Sequence, residues 1–347
     1  MTDDQSTFWA DRSVLITGVC GTVGSELLRQ LSAMPCARVV GIDNNESELF
    51  FQSQHYARHH NVRLFIGDLR DREKLRRKMR GIDVVLHAAA LKHVILCEES
   101  PRDAVQTNVD GMINVIDAAE INNVERVLFT SSDKAVNPTN VMGTTKLMGE
   151  RLITAANVYR RNAHDTIFAS TRFGNVLGSR GSVVPLFQRQ IAAGGPVTLT
   201  DRTMTRFVMT LEEAAALVLR SVELARGGEV FVTKMPVARI EDLAAVLIDE
   251  LAPRHGLRPQ DVVVEEIGVK AGEKLYEELL NDEEVRRTLE LDDFFCVLPA
   301  FKSVYQQIEY SYEGYLGREV AKPYNSAVEP AMSRDDLREY LRRNKIV

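Results

Sequence analysis

The strongest constraint on the fold is local. Ser13 to Thr17 (SVLIT) reads as a buried strand and runs straight into glycines 18, 21 and 24, which open an amphipathic run from Val23 to Met34. Glycine at the first position permits a tight turn, at the second lets backbone approach a bound group, and at the third lets helix pack on strand. The helix start then offers N–H groups and a positive dipole end to an anion. The same rhythm continues downstream. Arg38 to Ile42, Val62 to Ile66, Asp83 to His87, Arg126 to Thr130 and Thr166 to Phe173 are short, aliphatic and bounded by turn residues. Amphipathic runs at Asp71 to Arg80 and Pro101 to Ile121 lie between them. Strand alternating with helix predicts an α/β fold with right-handed crossovers and a doubly wound parallel sheet.

After residue 177 the rhythm changes. Glycine and proline cluster (GSRGSVVP, AAGGP), a helix is predicted over Leu211 to Arg226 and a strand over Glu229 to Thr233. From Arg239 onward the elements read as less regular, with a loop-like stretch near Pro253 to Asp261. A chain of 347 residues holds about two domains of roughly 150 residues each. The expected division is 1–177, with a later contribution from about 205–235, and a smaller C-terminal substrate-binding domain over 178–347.

Composition narrows the classes. No apolar run approaches the ~18 residues of a membrane span, and the start, MTDDQSTFWADR, lacks a signal-peptide layout. The net charge of −6 argues against general nucleic-acid binding. The four cysteines, at 20, 36, 97 and 296, never form a C-x-x-C pair, and the seven histidines show no ligand spacing. A cytoplasmic protein without a metal is expected, with the cysteines as small apolar residues. The basic run Leu69 to Arg80 alternates in sign and reads as a solvated helix face.

Asp43 ends the second strand about 20 residues past the glycine loop, where a carboxylate bonds an adenosine ribose 2′-hydroxyl and repels a 2′-phosphate. That favours NAD over NADP; the plainer alternative is a helix cap. Asp68, after the third strand, has the same two readings, adenine contact or cap.

Several segments carry a resemblance more specific than a dinucleotide fold. They are His87–His93 (HAAALKH), Thr107-Asn108-Val109, Ser131–Lys146 (SSDKAVNPTNVMGTTK), Arg172–Ser179 (RFGNVLGS) and Gly272–Leu279 (GEKLYEEL). Over roughly residues 13 to 330 the chain resembles the extended short-chain dehydrogenase/reductases acting on nucleotide sugars. More narrowly it resembles the UDP-N-acetylglucosamine 4,6-dehydratases of polysaccharide biosynthesis. The resemblance implies a Rossmann-like NAD-binding domain, a nucleotide-sugar-binding domain and self-association into a homo-oligomer. It implies oxidation at sugar C4, proton loss at C5, departure of the C6 hydroxyl as water and return of hydride to C6.

By the same resemblance, Asp133 is the acid that helps water leave, Lys134 the base at C5, and Ser132 a partner of the C4 oxygen. Lys146 bonds the nicotinamide ribose. Gly18, Gly21, Thr22, Val23, Gly24, Asp43, Asp68, Leu69, Ala88, Ala89, Lys92 and Asn108 line the cofactor. Lys92, Asn175, Ser182, Val183, Arg206 and Glu273 meet the nucleotide sugar. The roles set demands: Asp133 has to hold a proton near neutrality and Lys134 has to lose one; the plainer alternative, an Asp⁻–Lys⁺ pair of structural role, would reverse both shifts. Met142 stands one helical turn before Lys146, where a typical member carries tyrosine, and methionine takes no proton. One branch of the dehydratases shares this M-x-x-x-K pattern, which leaves Asp133, Lys134 or a water as the base for the C4 hydroxyl. The rival readings are a nucleotide-sugar epimerase, which Met142 disfavours, and a non-catalytic NAD(H) sensor, which would not need an acid–base pair. Thr233–Pro236 (TKMP) resembles the C5-inverting members, and the short lead before the first strand resembles the freestanding soluble form.

Overall fold

The computed structural model describes residues 7–159, 165–179, 181–268, 272–301 and 308–347. The aliphatic runs form strands β1 (Ser13–Thr17), β2 (Arg38–Asp43), β3 (Val62–Ile66), β4 (Val84–His87), β5 (Arg126–Thr130) and β6 (Ile167–Arg172). They lie parallel in the order β3-β2-β1-β4-β5-β6, and the strand Val230–Thr233 continues the parallel run beside β6. Strand order reverses between β1 and β4, and a crevice opens there at the carboxyl ends of the strands. Helix α1 (Thr22–Ser32) packs with the helix Leu211–Leu224. The helices Gly111–Ile121 and α2 (Val141–Ala156) pack with each other. Leu15, Val85, Val127 and Phe168 are each at most 1 % exposed and share one apolar cluster with Met112 and Val115 of the first of these helices. Burying such a side chain contributes about 1.5–3 kcal/mol.

The predicted division at residue 178 does not coincide with an edge of the sheet. The strands Phe294–Val297, Thr288–Leu291 and Tyr315–Glu319 add in antiparallel fashion beyond Val230–Thr233, making ten strands in all. The stretch from Arg239 is also more regular than its composition suggests. The helix Ile240–Leu251 buries Leu243, Val246 and Leu247 completely, against α3 (Val183–Ala192) and the helix Arg334–Arg343. Near Pro253 to Asp261 the chain takes two short 3-10 turns.

Two features tie the later segments to the first. The strand Thr205–Met209 pairs with Val237–Arg239 on one side and with Asn175–Val176 on the other, carrying residues 205 to 209 to the sheet's carboxyl end. Arg172, 1 % exposed at the end of β6, sits between Glu150 of α2 (2.6 Å) and Glu284 (2.8 Å) and donates to the Leu279 carbonyl. Burial alone would weaken these charges, but their mutual attraction and hydrogen bonds raise the arginine and lower Glu284.

Candidate active site

The glycine loop is built for close approach. Gly18 has φ +70°, and a Cβ there would lie 2.6 Å from the Ala89 Cα. A Cβ on Gly24 would lie 2.1 Å from the Gly18 carbonyl oxygen, so only hydrogen fits where α1 meets the loop. The α1 N-cap is Gly21, whose position carries no side-chain cap, and the first-turn N–H groups face a cavity of about 650 Å³. Thr22, Val23, Leu69, Ala88, Ala89 and Lys92 line this cavity with the three glycines.

Asp43 stands on its wall and accepts from the N–H groups of Cys20 (2.9 Å) and Asn45 (3.0 Å). It does not cap the next helix; Asn45 does, accepting from the Glu48 N–H. Asp68 also lines the cavity, and Asp71 rather than Asp68 caps the helix that follows. The Asp68 carboxylate is gripped by the Arg70 guanidinium at 2.7 Å, the foremost cause of a pKa below the usual carboxylate range. Asn108 plays a different part from the one its place in the sequence suggested. It is buried behind the wall, bonded to the N–H and C=O of Leu91 and to the Thr145 hydroxyl, and so fixes the Ala88–Leu91 loop against α2.

Lys146 rises from α2 to donate to the Thr130 carbonyl at 2.9 Å, over the Phe129 ring. Burial pulls its pKa down to about 8, against the charge of Glu150. His87 is buried beneath the cavity, paired with the Thr17 hydroxyl at 2.7 Å, and burial together with Lys146 drives its pKa down to about 3. Met142 is 3 % exposed and packs on Cys97 and Ala104, with one edge on the cavity.

Ser132, Asp133 and Lys134 sit in the tight turn after β5. The Lys134 ammonium donates to both Asp133 oxygens at 3.1 and 3.0 Å, and the Ser132 hydroxyl donates to one of them at 2.6 Å. This reverses the pKa directions expected from the sequence. Burial would raise Asp133, but the Lys134 charge and the Ser132 and Lys134 bonds bring it below the usual range. Burial would lower Lys134, but Asp133 and Glu277 raise it. The physical reason is proximity: an ion pair at 3 Å outweighs desolvation of its members.

A second cavity, about 710 Å³, meets the first at Asp133, Lys134, Asn175 and His93, which line both. Ser182, Val183, Arg206 and Glu273 line the second. The Ser182 N–H is spent on the Ser179 carbonyl, while its hydroxyl has no partner among the described residues and is shielded at the start of α3. Arg206 was expected to meet the nucleotide sugar, but it is already engaged. Its guanidinium donates to the carbonyls of Thr205, Lys274 and Leu275 and lies 3.3 Å from Glu277. Glu273 stays at the rim, 4.0 Å from Arg206 and about a third exposed.

Glu277 is the functional candidate that sequence reasoning missed. It lies in the GEKLYEEL stretch, but adjacent glutamates offered no local signal to choose among them. It is 4 % exposed on the second cavity, 4.0 Å from the Lys134 Nζ, and burial followed by the Asp133 charge pushes its pKa up to about 8.

Among the described residues no helix is long and apolar enough to cross a membrane. An uncharacterized membrane protein of Methanocaldococcus jannaschii is 49 % identical over 86 % of this chain and 89 % of its own length. An inverting UDP-N-acetylglucosamine 4,6-dehydratase of Campylobacter jejuni is 38 % identical over 86 % of each chain. A UDP-glucose 4-epimerase of Rickettsia typhi is 34 % identical over 96 % of each. Among solved structures, Pen from Bacillus thuringiensis superposes with a TM-score of 0.88 at 39 % identity, covering 97 % of this chain and 98 % of that one. A family model for polysaccharide biosynthesis proteins matches residues 14–299, and the chain, with its Rossmann-like sheet, belongs to that family.

Proposed function

We propose that the protein is an NAD-dependent dehydratase that removes water from UDP-N-acetylglucosamine, leaving a 4-keto-6-deoxy sugar with C5 inverted. The observation that carries this reading is the junction of the two cavities at the Asp133–Lys134 pair, with proton-inert Met142 where a tyrosine would serve an epimerase. The glycine cradle, the α1 N-terminus and Asp43 suit a dinucleotide: a Cβ would block the first, and a carboxylate at the third disfavours a 2′-phosphate. Lys146 would hold the nicotinamide ribose. When bound, the cofactor supplies a reversible acceptor for the hydrogen of sugar C4.

The side chains do the proton work. Asp133, ionised in its pair, accepts the C4-hydroxyl proton and later delivers it to the departing C6 hydroxyl. Ser132, bonded to Asp133, orients that carboxylate toward the C4 oxygen. Lys134 removes the proton on C5, acidified by the neighbouring ketone, and returns it to the other face. Asn175, lining both cavities, and Val183 at the start of α3 would meet the sugar and diphosphate.

Mass spectrometry of UDP-N-acetylglucosamine incubated with the protein tests the reading: loss of one water is expected. The Rickettsia relative motivates the alternative of 4-epimerisation, which keeps the mass and changes only the sugar configuration. An unchanged mass with several UDP-sugars overturns the dehydratase reading. Deuterium at C5 of product made in heavy water, located by NMR, reports the stereochemistry.

A further inference from the structure

In the proposed reaction Lys134 must act as a neutral amine, yet it rests as an ammonium clamped on Asp133. Asp133 cannot take that proton, because it has to accept the one from the C4 hydroxyl. Another carboxylate within reach, among the described residues, is Glu277. Resting on the dehydratase reading, we propose that Glu277 is a positioning residue for proton transfer. The N–H bond at Lys134 Nζ breaks, an O–H bond forms at Glu277 Oε1, and the proton stays there while Lys134 shuttles the C5 proton.

The count closes without a further reactant. Asp133 takes one proton from the C4 hydroxyl and gives it to the leaving water, while Lys134 takes one from C5 and returns it. The proton on Glu277 is a spectator during turnover. The geometry supports this placement. Glu277 Oε2 accepts from the Phe207 N–H at 3.1 Å, its own N–H donates to the Ser326 hydroxyl at 2.9 Å, and Arg206 Nε lies 3.3 Å from Oε1. Oε1 lies 4.0 Å from the Nζ of Lys134, whose side chain is a third exposed and so has room to move off Asp133.

The charged groups facing Glu277 are Asp133 and Lys134 from the turn after β5 and Arg206 from the strand Thr205–Met209. On its own segment, Glu273 leans toward Arg206, and Lys274 is turned to the Val136 carbonyl and Glu278. Burial and the Asp133 charge outweigh Arg206 and Lys134 and put the Glu277 carboxyl near pH 8, where it can both take and release a proton.

The test is the pH dependence of kcat for the full-length protein and Glu277→Gln, with water loss as the readout. Below about pH 8 both Lys134 and Glu277 carry protons; as pH rises the cluster loses one, and the rate climbs. Glutamine cannot accept a proton, so Lys134 has to release its own to solvent. The rising limb is expected to move up by about one pH unit or more, with kcat at neutral pH down at least about tenfold and KM changed less than about twofold. Glu277→Asp should return the limb part of the way. A limb that stays in place overturns the inference. So does one that moves down, as removal of a mere counter-charge would produce, or an equal loss of kcat at every pH. If the unmodified protein removes no water, the dehydratase reading falls and this inference with it; an active protein with an unmoved limb overturns this inference alone.

Discussion

The two cavities are built by different means. The first cavity owes its shape to closely packed backbone at the glycine loop, beside a helix start and the Ala88–Leu91 segment, drawn chiefly from the first half of the chain. The second cavity gathers charged side chains from the turn after β5, from the strand Thr205–Met209 and from residues 272–277, against the start of α3. A backbone site is specified by what must be absent, namely Cβ atoms. A side-chain site depends on which charges meet. The first should therefore fail by steric exclusion, and the second by altered protonation.

Lys134→Ala should separate them most sharply. It is expected to slow water loss by about 10²–10⁴-fold while leaving bound nicotinamide stoichiometric, as read by product mass spectrometry and cofactor release on denaturation. Loss of the cofactor as well would erase the distinction. Arg172→Ala strikes the joint between the halves by leaving Glu150 and Glu284 buried without their partner. It should cost about 3–5 kcal/mol in urea unfolding. Glu284, lowered in the folded state, stabilises above its unfolded pKa, and that part fades as pH falls through its depressed value.

Lys146 gives the opposite pH signature. Its folded pKa of about 8 lies below that of a free lysine, so the folded state must carry a buried charge at neutral pH, and stability should rise as pH climbs from about 8 toward 10.5. Lys146→Met should flatten that rise in urea melts and stabilise the protein at neutral pH by about 2–3 kcal/mol, while impairing turnover. Gly24→Ala should cost about 1–3 kcal/mol by overpacking and weaken cofactor binding, with UDP affinity at the second cavity preserved in calorimetry. Met142→Leu should be mildest, slowing turnover by less than about tenfold, because methionine there packs on Cys97 and Ala104 and carries no proton. A larger loss would give Met142 a more exacting role.

Legibility follows the same division. Strands β1 and β5 begin and end where their aliphatic runs do, because a strand buried on both faces leaves a continuous local signal. The strands Thr288–Leu291, Phe294–Val297 and Tyr315–Glu319 were not read in advance. The first two form a hairpin, but Phe294–Val297 joins the sheet only by pairing with the distant strand Val230–Thr233, and Tyr315–Glu319 is exposed along its length. Asp133, Lys134 and Lys146 were found from their motif. Their charge states were not, since these depend on a distance of 3 Å and on burial. Arg206 shows the converse: arginine suits a diphosphate, yet its donors are taken by three carbonyls and Glu277.

The sequence by itself determined the doubly wound sheet, the glycine loop after β1 and the residue types in the turn after β5. Steric rules and short-range periodicity act within about a dozen neighbouring residues and are written there. Only the tertiary structure decided that Asp133 and Lys134 rest as an ion pair, that Asn108 braces a wall, and that Glu277 comes within 4.0 Å of Lys134. Those outcomes are electrostatic. Electrostatic energies depend on separation and burial, quantities that exist only once residues 133, 206 and 277 have been folded together.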